Sequence, residues 1–354
     1  MVAIQTDRAD IVMNPNDPNR PSLNPRTLVT EAGPEGLASM LAGTGYIIQR
    51  EVLGHLIQAI KSGQPHLIEG ERGSGKTALA EALAMACNLP VFYLQGMVGL
   101  TLAEVLYSWD KEGQDQWVRQ AQASGMDLKE ARATAWTADY LMYGEALGAF
   151  EFAARTGTVP ILIVDEIDKL TDTVEDMLLQ LFGRGFAHVP RFGDVGEKEA
   201  KRWPIVVLLS NDIRHDLSAP MRSRCVYTYM PMPTAREEVA ILCTRVPEAS
   251  AQAVAWVVKL LDCIRAIPGV QDKPALREGI CLLSALMRDD VRDLDEATLI
   301  SYLCLIAKRR GDSSYLLQSM ARIEAAVNDP HDEIDLWVEQ QFGSRERGRL
   351  AVAA

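Results

Sequence analysis

The sequence predicts an α/β fold: a parallel five-stranded sheet between helices, followed by a small all-helical domain. Three observations predict it. Short apolar runs alternate with helix-patterned stretches between residues 66 and 230. A glycine loop joins the first of these runs to an Ala- and Leu-rich helix. Beyond Pro231 and Pro233 no strand pattern recurs, and the chain reads as helices.

The elements follow in order. Residues 1–34 include a stretch rich in Asn and Pro (MNPNDPNRPSLNP), which carries too little apolar surface to fold alone. They are expected to form an N-terminal arm, either flexible or lying against a neighbouring subunit. A helix-like stretch from Gln49 to Lys61 precedes the first strand, His66-Leu67-Ile68. Pro90 to Gln95 reads as a second strand. Residues 100–156 read as mainly helical, with breaks at Gly113 and Gly125. Val159 to Val164 (VPILIV) is a continuous apolar run, as expected of a strand covered on both faces. A short helix over Val174–Phe182 follows, then strands over Pro204–Leu209 and Cys225–Met230. Such alternation implies parallel strands joined by right-handed crossovers. Residues 35–232 are thus one α/β domain and 233–327 a helical one. The helices of the second domain are expected at Glu237–Cys243, Ala251–Ile267, Ala275–Arg288 and Glu296–Arg309. Residues 328–354 form a tail with one amphipathic stretch, Ile334–Phe342.

Composition narrows the function classes. The chain has 354 residues, 48% hydrophobic, with a net charge of −12. This acidity disfavours nucleic acid as a partner, because phosphate binding needs clustered Lys and Arg. The six cysteines, Cys87, Cys225, Cys243, Cys263, Cys281 and Cys304, have no zinc-site spacing and read as reduced core residues. His55, His66, His188, His215 and His331 are scattered and read as structural or surface groups. There is no signal-peptide pattern, and no apolar run reaches the roughly 18 residues of a membrane span. The expectation is a soluble, cytoplasmic protein.

The strongest motif is Gly70-Glu71-Arg72-Gly73-Ser74-Gly75-Lys76-Thr77, a full GxxxxGK[ST] between a strand and a helix. Glycines let backbone N–H groups curl around phosphate oxygens, and the helix start favours an anion. Residues Gly70 to Ala78 are therefore the candidate binding loop for a nucleoside triphosphate with Mg²⁺, the choice of ATP over GTP having no motif of its own. Lys76 is expected on the β- and γ-phosphates and the Thr77 hydroxyl on the metal. A second apolar strand ends in Asp165-Glu166, where Asp165 is expected to hold the metal's water shell and Glu166 to deprotonate the attacking water. Asp168 reads as a solvated helix start. A third strand ends at Ser210-Asn211, placing an amide that can bond the attacking water or the γ-phosphate.

These residues carry a resemblance. The chain resembles P-loop NTPases of the AAA+ class, specifically the MoxR group and its subgroup with the carbon monoxide dehydrogenase maturation ATPases, over roughly residues 40–290. The segments that carry it are GYIIQREVLGHLIQAIKSGQPHLIEGERGSGKT, LYSW at 106–109, ILIVDEIDK, IVVLLSND and DLSAPMRSRCVYTYMPMP at 216–233. The resemblance implies an arginine finger at Arg224, with Arg222 a second candidate, and a sensor arginine of the helical lid at Arg277. It also implies two inserts that face a ring pore: residues 97–113, and a hairpin over Phe186–Trp203 turning at Gly193-Asp194. In that hairpin Arg191, Phe192, Lys198 and Lys201 are candidates to face a substrate. The 115–156 segment is longer and more polar than the family's and is a candidate partner surface. A base pocket is expected near Tyr46 and Ile47.

The function so implied is Mg²⁺-dependent ATP hydrolysis by a homo-oligomeric ring, a hexamer by family likeness, that remodels or matures a protein client as a chaperone. A partner with a von Willebrand factor A domain is implied by the same resemblance. The alternative is a nucleotide-gated oligomeric scaffold with little turnover, and a nucleic-acid motor is the least favoured.

Overall fold

The apolar runs become strands because their Val, Ile and Leu side chains are covered on both faces. The computed structural model describes residues 20–211, 217–329 and 333–352. The chain forms two compact units, one of Met1–Thr44, Ile48–Glu69 and Thr77–Thr228, the other of Gly45–Ile47, Gly70–Lys76 and Tyr229–Ala354.

The first unit opens with helices α1 (Pro25–Glu31), α2 (Gly33–Gly43) and α3 (Arg50–Ser62). Strand β1 (His66–Glu69), helix α4 (Lys76–Cys87) and strand β2 (Val91–Gln95) follow. Next come α5 (Leu102–Val105), β3 (Tyr107–Trp109), α6 (Lys111–Ala123), α7 (Leu128–Thr134), β4 (Leu141–Tyr143) and α8 (Glu145–Thr156). Then follow β5 (Ile161–Asp165), α9 (Asp172–Arg184), β6 (Phe186–Val189), β7 (Gly193–Gly196), β8 (Ile205–Ser210), α10 (Ala219–Arg222) and β9 (Val226–Tyr229). The main sheet has five strands in the order β2-β5-β8-β1-β9. Parallel register sets Ile161 beside Ile205 and His66 beside Val207. Every residue of β8 is buried, and β5 is buried up to Asp165, which is half-buried. Each such side chain removed from water contributes roughly 1.5–3 kcal/mol. All five expected strands are therefore present.

Three expectations are corrected in this unit. The expected arm of residues 1–34 falls outside the described residues through residue 19, but from Arg20 the chain is fastened to its own fold. Arg20 donates to the carbonyls of Met85 and Ala86, Leu23 N–H to that of Cys87, and Arg26 to that of Trp203. Helix α1 then begins at an Asn24 cap, whose side chain accepts from Arg26 N–H. Second, the 100–156 segment is not simply helical. β3 and β4 pair antiparallel, Tyr107 against Tyr143, and enclose α6 and α7. Gly113 does not break the chain but sits in the first turn of α6, its N–H donated to the Asp110 cap at 3.0 Å. Gly125, at φ 92°, does end that helix. Third, the β6–β7 hairpin is present, but it turns at Pro190–Phe192, with Arg191 in the left-handed region at φ 69°. Gly193 and Asp194 are the first residues of β7.

The second unit is helical beyond β9: α11 (Ala235–Arg245), α12 (Ala251–Arg265), α13 (Leu276–Arg288), α14 (Glu296–Ile306), α15 (Arg310–Gln318), α16 (Met320–Val327) and α17 (Glu333–Val352). Side-chain caps start several of these, among them the Thr234/Glu237 box of α11 and Ser250 of α12, worth about 1 kcal/mol each. Val254, Val257, Leu261 and Ile264 of α12 form the centre of the core with Leu282, Leu283 and Leu286 of α13. Its buried charges are paired. Glu238, fully buried, accepts both guanidinium bonds of Arg265 at 2.8 and 3.0 Å. Lys259 donates to Asp335 and to the Asp329 carbonyl. Asp312 caps the N–H groups of Gln271 and Asp272. Cys281 and Cys304, expected in the core, are exposed, while Cys87, Cys243 and Cys263 are buried.

Candidate functional site

The glycine loop leaves β1 and enters α4, as its motif requires. Gly73 and Gly75 adopt φ of 82° and 95°, conformations that a side chain would strain. A Cβ at Gly70 would stand 2.2 Å from the Met230 carbonyl oxygen, and one at Gly73 would stand 2.4 Å from Ala275 Cβ. The start of α13 therefore lies against the loop, and Arg277, exposed, is in its first turn. Lys76 is buried, its ammonium donating to the Gly70 and Glu71 carbonyls at 2.7 and 2.8 Å. Arg72 and Glu71 are exposed. The Tyr46 hydroxyl lies 3.4 Å from the Gly75 carbonyl. Burial, and then the charge of Glu237, push that phenol well above its ordinary value.

Thr77, next in the first turn of α4, directs its hydroxyl to Asp165 Oδ2 at 3.4 Å, long for such a bond. Asp165 ends β5. Its Oδ1 accepts the Glu166 N–H at 2.8 Å, and its Oδ2 accepts the Tyr93 hydroxyl at 2.6 Å. Glu166 itself sits at φ 53°, ψ 45°, a left-handed conformation that costs a non-glycine residue of order 1 kcal/mol or more. Its carboxylate accepts Gln95 Nε2 at 2.7 Å and forms an ion pair with Lys169. Gly96 closes the corner: its N–H donates to the Asp165 carbonyl at 2.7 Å, and a Cβ there would lie 2.2 Å from the Glu166 carbonyl oxygen.

Asn211 follows the end of β8, its N–H donated to Asp168 Oδ1 at 3.3 Å. Asp168 is thus buried rather than solvated, at 3% exposure, and anchors the end of the neighbouring strand. Arg224 is exposed, and its guanidinium donates to the Pro220 carbonyl at 3.0 Å. Arg222 is exposed at the end of α10.

Sequence reasoning missed Tyr93, Gln95 and Lys169. The signal for the first two was parity: they are two apart on β2, so both point to one side, and Gln95 stands beside Asp165 in the register. The hairpin residues make internal contacts. Arg191 lies over the Trp136 ring at 4.5 Å, Phe192 packs edge-on to Trp109 at 6.1 Å, and Trp109 meets Trp136 at 4.9 Å. Lys198 pairs with Asp194 and Lys201 with Glu199. His66 and His55 are structural, both facing the Thr228 hydroxyl at 2.7 and 3.1 Å. Burial, and then His55, lower His66 to about 4. His188 is on the hairpin surface against Asp194, while His215 and His331 lie outside the described residues.

A phosphate fits the glycine loop, and a hydrated divalent cation fits the Thr77–Asp165 pair. Ser74 Oγ in the loop is buried without a hydrogen-bond partner, one of two such side-chain atoms among the described residues, the other being His66 Nδ1. A phosphate oxygen would satisfy that hydroxyl. Among the described residues no cluster of three His, Cys, Asp or Glu could hold a metal by itself. Mg²⁺ needs no such cluster, since it takes one or two protein groups and completes its shell with water and phosphate. Among the described residues no helix is long and apolar enough to cross a membrane.

No curated protein matches the chain. Residues 65–225, somewhat under half of it, match the family model of the AAA domain, dynein-related subfamily. The parallel sheet with its glycine loop, followed by a helical region, is the fold of a P-loop AAA+ domain with a helical lid.

Proposed function

We propose that the chain is a Mg²⁺-dependent ATPase of the MoxR type that works as a homo-oligomeric ring and remodels or matures a protein client. The observation that carries this reading is the corner where Thr77, Asp165 and Glu166 meet, with Thr77 and Asp165 in contact and Glu166 held in a left-handed turn. The loop from Gly70 to Ala78 binds the phosphates, Lys76 turning from the loop carbonyls to the β- and γ-oxygens. Ser74 supplies a hydroxyl, and Thr77 with Asp165 holds the hydrated cation. Mg²⁺, when bound with the nucleotide, neutralises charge on the β- and γ-phosphates. Glu166 takes the proton of the attacking water, and Asn211 orients that water. Arg224, exposed on its own subunit, serves the site of a neighbour, with Arg222 the second candidate; Arg277 reaches the γ-phosphate from the lid. By the MoxR likeness, a protein with a von Willebrand factor A domain is the expected partner and six the expected ring size.

The test is Glu166→Gln. Turnover should fall by roughly 10²–10⁴-fold, the usual worth of a general base, while ATP still binds. Turnover equal to wild type would sink the assignment.

One observation favours the second reading, a nucleotide-gated scaffold with little turnover. Glu166 Oε2 accepts from both Gln95 and Lys169, so that oxygen is engaged away from a water. Crosslinking with and without ATP beside a turnover assay separates the two: a scaffold changes its oligomeric state with negligible hydrolysis.

A further inference from the structure

The Tyr93 hydroxyl is the shortest donor to Asp165. At 2.6 Å it lies in the range of charge-assisted O–H···O⁻ bonds, which are roughly twice as strong as neutral ones. The Thr77 hydroxyl, on the same carboxylate oxygen, is 3.4 Å away. Asp165 Oδ1 is taken by the Glu166 N–H, so the two oxygens are gripped from opposite sides and the carboxylate has one orientation. The phenol oxygen also lies 3.2 Å from Gln95 Oε1, and the other end of that amide donates to Glu166 at 2.7 Å. One side chain on an edge strand thus touches Asp165 itself and the hydrogen-bond partner of Glu166. Phe at this position would fill the same space and lack only the hydroxyl.

We propose that Tyr93 is a positioning residue, orienting Asp165 for a hydrated divalent cation and linking it through Gln95 to Glu166. This rests on the reading of Asp165 as the cation-holding carboxylate. Groups behind a metal's direct ligands commonly change metal affinity 10–100-fold when removed.

The experiment measures binding of a fluorescent ATP analogue to the full chain, wild type and Tyr93→Phe, in EDTA and across a Mg²⁺ titration. The expected result is unchanged affinity in EDTA and a Mg²⁺ requirement raised about tenfold in the variant. Wild-type Mg²⁺ dependence in Tyr93→Phe overturns the role of Tyr93 while leaving the nucleotide site intact. Equal loss with and without Mg²⁺ also overturns it, since Tyr93 would then act through the fold. Absence of any Mg²⁺ effect in wild type overturns the reading of Asp165 itself, and the proposal with it.

Discussion

The corner between β2, α4 and β5 and the core of the helical unit treat polar groups in opposite ways. Among the described residues of the helices beyond β9, the buried charges have matched partners: Glu238 with both arms of Arg265, Lys259 with Asp335, and Asp312 with two N–H groups. In the glycine loop and the β5 corner, by contrast, a buried hydroxyl stands alone at Ser74 and a glutamate takes a left-handed turn at Glu166. The helical region is built for stability. The glycine loop carries unmet bonding capacity and the corner carries backbone strain, features that cluster at binding sites and active sites.

Mutations can break or sharpen that contrast. The largest effect is in activity: Glu166→Gln should cost roughly 10²–10⁴-fold in turnover, yet leave the denaturation midpoint nearly unmoved, because its partner Lys169 keeps contact with water. A large loss of stability in that variant would make the corner structural and erase the contrast. Next is Arg265→Met, which strands the buried Glu238, a carboxyl that burial already pushes upward, and leaves the Pro274 carbonyl without that donor. About 3–5 kcal/mol of stability should be lost in urea denaturation.

The pH dependence comes third. His66 titrates near 4 in the folded chain and near 6.5 when unfolded. Between those values the unfolded state binds the extra proton. Stability should therefore be full above about pH 6.5 and fall as the pH drops towards 4, by roughly 3 kcal/mol in all. His66→Gln should flatten that part of the profile. The smallest effect belongs to Arg191→Ala at the hairpin tip, where loss of one exposed cation–π contact should cost about 0.5–1 kcal/mol by thermal denaturation. A larger loss would mark the hairpin as part of the fold's foundation.

Much of this architecture was legible in the sequence, for reasons particular to its residues. Strands such as VPILIV and PIVVLL announce themselves because both faces are buried, and the glycine loop because it matches GxxxxGK[ST] between a strand and a helix. The β3–β4 ribbon was hidden because YSW and LMY are three residues each and lie among helical stretches. The hairpin turn was misplaced because a non-glycine, Arg191, takes the left-handed position while Gly193 opens a strand. Asp168 reads as solvent-facing since only the fold brings Asn211 to it. The ties of Tyr93 and Gln95 to the acidic pair depend on which strand neighbours β5, and that is a matter of topology rather than spacing.

The most direct test of the account is ATPase rate per subunit against protein concentration, for wild type and Arg224→Ala. If each site borrows Arg224 from a neighbour, as proposed, wild-type activity rises with concentration and the variant loses it while still binding ATP. Concentration-independent turnover, with the variant as active as wild type, would contradict it.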